Sequence, residues 1–257
     1  MKKTLLLTLA SASFVIVGSP AAFAQEEDKG PEFSALETFT CNYNDGKGPA
    51  DLDGAVEKWT AYMDGSGGDK YFAMTVTPQM HGAETFDVGW LGVAPTGELM
   101  GQGRDGYRAN GGESGAAFAE VLTCDTHSQF AVMQIKEPPE RESPESIVLS
   151  FSDCEVEDGR NFDEVFSGMR AFAAFQAENG YSNGTWVLFP AYGSGDEEFD
   201  FKVVNAYDNH AGMGRDFDLY GTGGGYMKRR EIMGDMLDCD VGRVYDGTVR
   251  RVMSDDE

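Results

Sequence analysis

Polar and apolar positions alternate over residues 36–43, where Thr and aromatic side chains are enriched, and this predicts a first strand. A turn follows at residues 45–49, and Asp51 or Asp53 is placed to cap a helix. Leu52, Val56, Trp59 and Met63 then recur at helical spacing, with Ala55 and Tyr62 widening the stripe. Glycines at 65–68 end it. Strands are predicted over residues 71–77 and 86–93, separated by a polar loop. After a turn at Pro95-Thr96-Gly97, residues 101–112 read as a glycine-rich loop, 116–122 as a short helix and 130–135 as a last strand.

The second half repeats this order. Residues 147–151 form a strand, and Asn161 with Glu164 three places on has the form of a capping box. Phe162, Val165, Phe166, Met169, Phe172 and Ala173 make the clearest helical stripe in the chain. Strands over 185–189 and 199–207, a helix over 226–237 and a strand within 241–252 complete the set.

The two halves match residue by residue as well. At a shift of 113, Cys41 falls on Cys154, Asp45-Gly46 on Asp158-Gly159, Phe86-Asp87 on Phe199-Asp200, and Asp105 and Tyr107 on Asp218 and Tyr220. Two extra residues then enter the second copy, and Leu122, Cys124 and Asp125 match Leu237, Cys239 and Asp240 at a shift of 115. An internal repeat of this length means two structural units. The expected division is a signal peptide at 1–24, a flexible leader at 25–35, a first unit at 36–136, a linker at 137–146, a second unit at 147–253 and an acidic tail at 254–257.

The start of the chain gives the compartment. Lys2 and Lys3 precede a mostly apolar run at 5–17, and Ala22-Phe23-Ala24 offers a cleavage site, the pattern of a secretory signal peptide. The run is short for a membrane span. The expected product is exported, periplasmic or extracellular, with no membrane association after cleavage. Four cysteines in such a chain point to disulfides rather than zinc, since no two sit at short ligand spacing. The repeat favours Cys41–Cys124 and Cys154–Cys239, and the other two pairings would tie the copies together. The formal charge of −24 repels nucleic acid phosphates, so a nucleic acid partner is not expected.

The β-α-β-β-α-β order is the split βαβ, or ferredoxin-like, unit. Its first and last strands are antiparallel neighbours, which brings each favoured cysteine pair close. Each unit has helices on one face of its sheet, so the other face must be buried. Packing sheet on sheet does this within one chain. In these ordered elements the chain resembles the dimeric α+β barrel superfamily, an α+β fold in which two ferredoxin-like units close around a central cavity. That resemblance implies a range of activities, including cofactor-independent oxygenases, haem enzymes of the chlorite dismutase type, stress-response proteins and small-molecule binders.

The residues offer several candidates for chemistry. His210, Arg215, Asp218 and Tyr220 share one segment, and a His with an Arg across a cavity would suit haem. Asp105 and Tyr107 repeat Asp218 and Tyr220, and a spacing of two puts each pair on one side of an extended segment. The bland reading of these repeated pairs is a structural hydrogen bond, because a duplicated fold keeps structural residues while a single site needs one set. Neither His81 nor His127 nor His210 falls on another histidine under the repeat. Trp90 shares a strand face with Val88 and Gly92, as Phe199, Phe201, Val203 and Asn205 share another, and one of these faces is expected to line the space between the sheets. No EF-hand loop, P-loop or nucleophile elbow is present, so no metal and no cofactor is called for. The leading expectation is therefore a non-catalytic module that binds a small molecule or a partner, with oligomeric state left open. The alternative is an α+β barrel oxidoreductase, either a cofactor-free oxygenase or a haem protein. A third is self-assembly through an exposed sheet edge.

Overall fold

Strand alternation divides each strand between two environments. On β1 (Ser34–Tyr43), Leu36 points into one apolar cluster while Phe39 and Cys41 point into another. The computed structural model describes residues 32–83, 86–139, 145–193, 195 and 197–254. The expected signal peptide and most of the expected leader, linker core and tail lie outside the described residues.

After β1 come α1 (Pro49–Ser66), β2 (Phe72–Met80), β3 (Val88–Ala94), α2 (Gly97–Asn110), α3 (Gly112–Val121) and β4 (Leu122–Lys136). The second copy supplies β5 (Ser146–Val156), α4 (Phe162–Glu178), β6 (Gly184–Tyr192), β7 (Phe201–Tyr207), α5 (His210–Gly221), α6 (Gly225–Met233), β8 (Leu237–Cys239) and β9 (Arg243–Arg251). Within each copy the strand order is that of a ferredoxin-like unit, β4-β1-β3-β2 and β9-β5-β7-β6. The units join at both edges, β4 to β6 and β2 to β9, so eight antiparallel strands close into a barrel. Closure pairs the strand edges on which self-assembly would depend, leaving short β8 as an extra strand on β5.

The barrel interior is filled by side chains from both copies, among them Leu36, Leu91, Phe130, Leu149, Leu188 and Val204. This corrects one expectation. Val88, Trp90 and Phe201 face the helices, and the interior is lined by their odd-even neighbours Leu91 and Val204 instead. The space between the sheets is a packed core. Beneath α4 and α6 lies a separate cluster with Phe166, Val187 and Phe201.

The glycine-rich segment at 101–112 is also corrected, because it is helical. Thr96 adopts an extended conformation and its Oγ1 accepts from the Leu99 N–H at 3.2 Å, which caps α2. Met100, 2% exposed, packs against Ala35 and Ala94 and anchors the helix on the sheet. Cap and anchor outweigh the low propensity of Gly101, Gly103 and Gly106. Asn209 caps α5 in the same way, its Oδ1 accepting from the Gly212 N–H at 2.9 Å. The expected helix at 226–237 is shorter than its range, ending at Met233 and giving way to β8.

Both favoured disulfides are present. Cys41 and Cys124 are paired residues of β1 and β4, with Cα atoms 3.8 Å apart, and Cys154 and Cys239 are paired residues of β5 and β8 at 4.1 Å.

Candidate functional site

The first copy holds a cavity of about 1230 Å³ between its sheet and its helices. This exceeds the usual range for pockets that bury drug-sized ligands. Its walls are largely aromatic. His127, Phe39 and Trp90 form a row across β4, β1 and β3, because Phe39 is the registered partner of both other residues. The His127 imidazole stacks on Phe39 with ring centroids 3.8 Å apart. From the helices, Trp59 and Phe118 meet Trp90 edge-on at 4.8 and 5.7 Å.

One carboxylate breaks this apolar surface. Glu37 lies on the outer face of β1, on the same side as Ala35, Phe39 and Cys41, and is only 8% exposed. Burying a carboxylate is costly unless its oxygens are satisfied. Here they are. Glu37 Oε1 accepts from the Tyr71 hydroxyl at 2.7 Å. Glu37 Oε2 accepts from Arg104 Nε and Nη2 at 3.2 and 3.0 Å, and His127 Nε2 lies 3.0 Å from it. Tyr71 reaches Glu37 by lying over Gly92, the residue opposite Glu37 on β3, where any Cβ would collide with the tyrosine hydroxyl. Trp90 Nε1 donates to the same hydroxyl at 3.3 Å.

These contacts bear on protons as well as positions. Arg104 Nη2 also stands 3.1 Å from His127 Nε2. One ring nitrogen cannot donate to the carboxylate and accept from the guanidinium at once. In the tautomer that donates Nε2–H to Glu37, Nδ1 carries the lone pair. Burial raises the Glu37 pKa, but hydrogen bonds from His127 and Tyr71 and the Arg104 charge outweigh it and hold the carboxyl below its ordinary value. Burial, and then the Glu37 charge, push the Tyr71 phenol well above its ordinary value, so it remains a proton donor. The result is an ionised, buried carboxylate that orients a more exposed imidazole, the arrangement used to position and activate a base.

Of the candidate ligand-binding residues singled out in the sequence, Trp90 and Tyr107 are on the cavity wall, which Cys41 and Cys124 also line. The Tyr107 hydroxyl shares a hydrogen bond with Ser114 Oγ at 3.2 Å, and burial raises its pKa. Asp105 lies exposed on α2, and since that segment is helical, a spacing of two turns it away from Tyr107. In the second copy, His210 Nε2 lies 2.7 Å from Asp246 Oδ1, with both side chains exposed. Arg215, Asp218 and Tyr220 are exposed along α5. The structure does not bring these four to the cavity.

Sequence reasoning missed Glu37, Tyr71, Arg104 and His127. At the repeat shifts these correspond to Ser150, Gly184, Phe217 and Gly242, so none is duplicated. In the second copy, Phe162, Phe166, Phe189 and Phe201 pack ring against ring beneath the helix layer. One signal was readable: a carboxylate within the helix-facing row Ala35, Glu37, Phe39, Cys41.

No family model matches the chain, and no curated protein matches it. Solved structures do. A haem-binding protein from Thermus thermophilus is 12% identical, with 85% of this chain and 94% of that chain covered, at a TM-score of 0.50. A protein provisionally named a monooxygenase from Lactobacillus acidophilus is 9% identical, with coverages of 86% and 95% and a TM-score of 0.52. Another so named, from Fusobacterium nucleatum, is 7% identical, with coverages of 87% and 95% and a TM-score of 0.53. At such identities the likeness is one of fold, and the chain has the closed α+β barrel of the dimeric α+β barrel proteins, with both halves in one polypeptide.

Proposed function

We propose that the chain is an oxidoreductase of the cofactor-free oxygenase kind, acting on a planar, largely apolar molecule with an acidic proton. The observation that carries this reading is Glu37, a buried ionised carboxylate at an aromatic cavity wall, on which Tyr71, Arg104 and His127 converge, His127 Nε2 lying 3.0 Å from its Oε2. A site built for binding alone gains nothing from orienting a base. The likeness to proteins named as monooxygenases supports the same reading.

In the proposed reaction, the aromatic walls hold the flat body of the substrate and exclude water. His127 Nδ1 takes the proton, and Glu37 stabilises the imidazolium that forms. The electron pair stays on the substrate as a delocalised anion, held near the Arg104 guanidinium. One electron then passes from that anion to dioxygen, the co-substrate; the carbon radical and superoxide join in a new C–O bond, the imidazolium returns its proton to give the hydroperoxide, and loss of water, with cleavage of the O–O bond and the second C–H bond, leaves a C=O at that carbon.

Haem fits these residues poorly. Among the described residues His127 is the only histidine lining the cavity, and its Nε2 lies against Glu37 with Arg104 beside it. No step is therefore assigned to haem iron.

Oxygen uptake with anthrone, a planar ketone with an acidic C–H, tests the proposal. Uptake above the uncatalysed rate that disappears in His127→Gln is expected. Equal uptake with wild type, variant and buffer would remove the assignment.

A further inference from the structure

The helix that follows the third strand is secured differently in the two copies. In the second copy, α5 is pinned by a buried carboxylate. Asp216, 5% exposed, accepts from the Ser182 N–H at 3.0 and 2.9 Å, from Ser182 Oγ at 3.2 Å and from the Asn183 N–H at 3.0 Å. At the repeat shift of 113, Asp216 falls on Gly103, so α2 lacks this clamp. The one buried residue of α2 is Met100, whereas α1 buries Leu52, Ala55, Val56 and Trp59. Beyond Met100, α2 is tied to the barrel by Arg104, which stands 3.0 Å from Glu37 and 3.1 Å from His127. Tyr107 ties it to its neighbouring helices, with its ring edge-on to Tyr62 at 5.4 Å and its hydroxyl at Ser114 Oγ.

The glycines of α2 answer no packing need. A methyl group at Gly97, Gly101 or Gly103 would meet nothing within 4 Å, and none of the three has a positive φ. Close approach and left-handed backbone, the usual structural reasons for glycine, are both absent there. Gly101 and Gly103 do make the helix easy to undo, since only proline is less favourable in a helix interior. Met100, Gly103, Arg104 and Tyr107 line the cavity, so this weakly secured helix is also its wall.

We infer that α2 is a lid, which lifts from the cavity to admit an aromatic ligand and re-forms over it, with Arg104 on Glu37 as its latch. Thr96 and Gly97 at one end and Gly111 and Gly112 at the other absorb the change of backbone angle. The inference rests on the reading that the cavity is the ligand site, and it adds how that site opens. Lids are drawn from the locally least stable elements of a fold. The latch gives closure a chemical consequence. Glu37 and His127 stay on the barrel strands while Arg104 leaves with the lid, so the polar site is complete only with α2 in place.

Hydrogen–deuterium exchange of the full chain tests the lid. Protection in α2 is expected to be at least about tenfold lower than in α1 and α5, and to rise when 9-anthracenemethanol is bound. The variant Gly101→Ala adds a methyl group that touches nothing at a position off the cavity wall. It is expected to slow exchange in α2 about fivefold. Association and dissociation of the probe should slow by a similar factor, with affinity nearly unchanged, because both pass through the open lid. Stopped-flow quenching of tryptophan emission reads these rates, since Trp59 and Trp90 line the cavity. Exchange in α2 as slow as in α1 and α5, probe rates unaltered by Gly101→Ala, or no quenching by the probe would overturn the inference. Oxygen uptake with α2 as protected as α1 would remove only the lid, and a fast-exchanging, ligand-protected α2 without oxygen uptake would remove only the oxygenase reading.

Discussion

His127 Nε2 stands 3.0 Å from Glu37 Oε2, although 90 residues separate them in the chain. They meet because β1 and β4 are antiparallel neighbours and because both residues lie on the helix-facing side of the barrel. With Nε2–H donated to the carboxylate, Nδ1 is the base of the proposed reaction. Replacing His127 with Gln should lower turnover of an anthrone-like substrate by about 10²–10⁴-fold, the usual worth of a positioned general base. Glu37→Gln should lower turnover and also displace the pH profile, because the imidazolium loses its counter-charge. Steady-state oxygen uptake from pH 5 to 9 measures both effects.

Glu37 also gives stability a defined pH dependence. Its folded pKa is depressed below the ordinary 4.5, since hydrogen bonds and Arg104 outweigh the opposing effect of burial. A depressed carboxyl pKa contributes stability that is fully present above the unfolded value and is lost as pH falls through the folded one. Wild type should therefore exceed Glu37→Gln in stability at pH 7, and the gap should narrow as pH drops below about 4.5. Urea unfolding of the two proteins at pH 7 and below pH 4 checks the sign.

Gly92 serves Glu37 at one remove. A methyl group at this position would overlap the Tyr71 hydroxyl, which donates to Glu37 and accepts from Trp90. Gly92→Ala should displace Tyr71 and leave a buried carboxylate oxygen without its donor, a loss of about 1–3 kcal/mol. Tyr71→Phe removes the same hydrogen bond without the steric clash. The two variants should shift the pH profile of turnover in the same direction, and Gly92→Ala should unfold at lower urea.

The two disulfides should separate stability from binding. Each closes a loop of similar size, spanning 83 and 85 residues, and the loop-entropy relation gives about 4.6 kcal/mol for either. Cys41 and Cys124 also line the cavity, whereas Cys154 and Cys239 do not. Replacing either pair with serine should lower urea stability comparably. Only the Cys41→Ser, Cys124→Ser protein should lose affinity for an aromatic probe under conditions where both remain folded.

The eight barrel strands and both long helices were legible because their apolar residues recur at periods of 2 and 3.6, and the doubled cysteine pattern indicated which bridges form; the short strand β8 was not read. The helices α2 and α5 were not legible. Gly101, Gly103 and Gly106 hide α2 from a propensity reading, and the cap at Thr96 and the buried Met100 that stabilise it act through structure. This single misreading also turned Asp105 and Tyr107 onto a common face that they do not share. The site was hidden for a different reason. Glu37, Tyr71, Arg104 and His127 come from four separate stretches of chain, and they stand where the repeat does not copy itself. Comparing the halves draws attention to shared residues, and those are mostly the ones that build the fold.

The most direct test is proton exchange without oxygen. Under anaerobic conditions in D₂O, loss of the acidic C–H signal of anthrone is followed by NMR with wild type and with His127→Gln. Catalysed exchange by wild type that falls to the buffer rate in the variant is the predicted result, since it isolates proton transfer from the chemistry of dioxygen. Exchange at the buffer rate with both proteins, or catalysed exchange that survives the loss of His127, would contradict the assignment of His127 and Glu37 as the working pair.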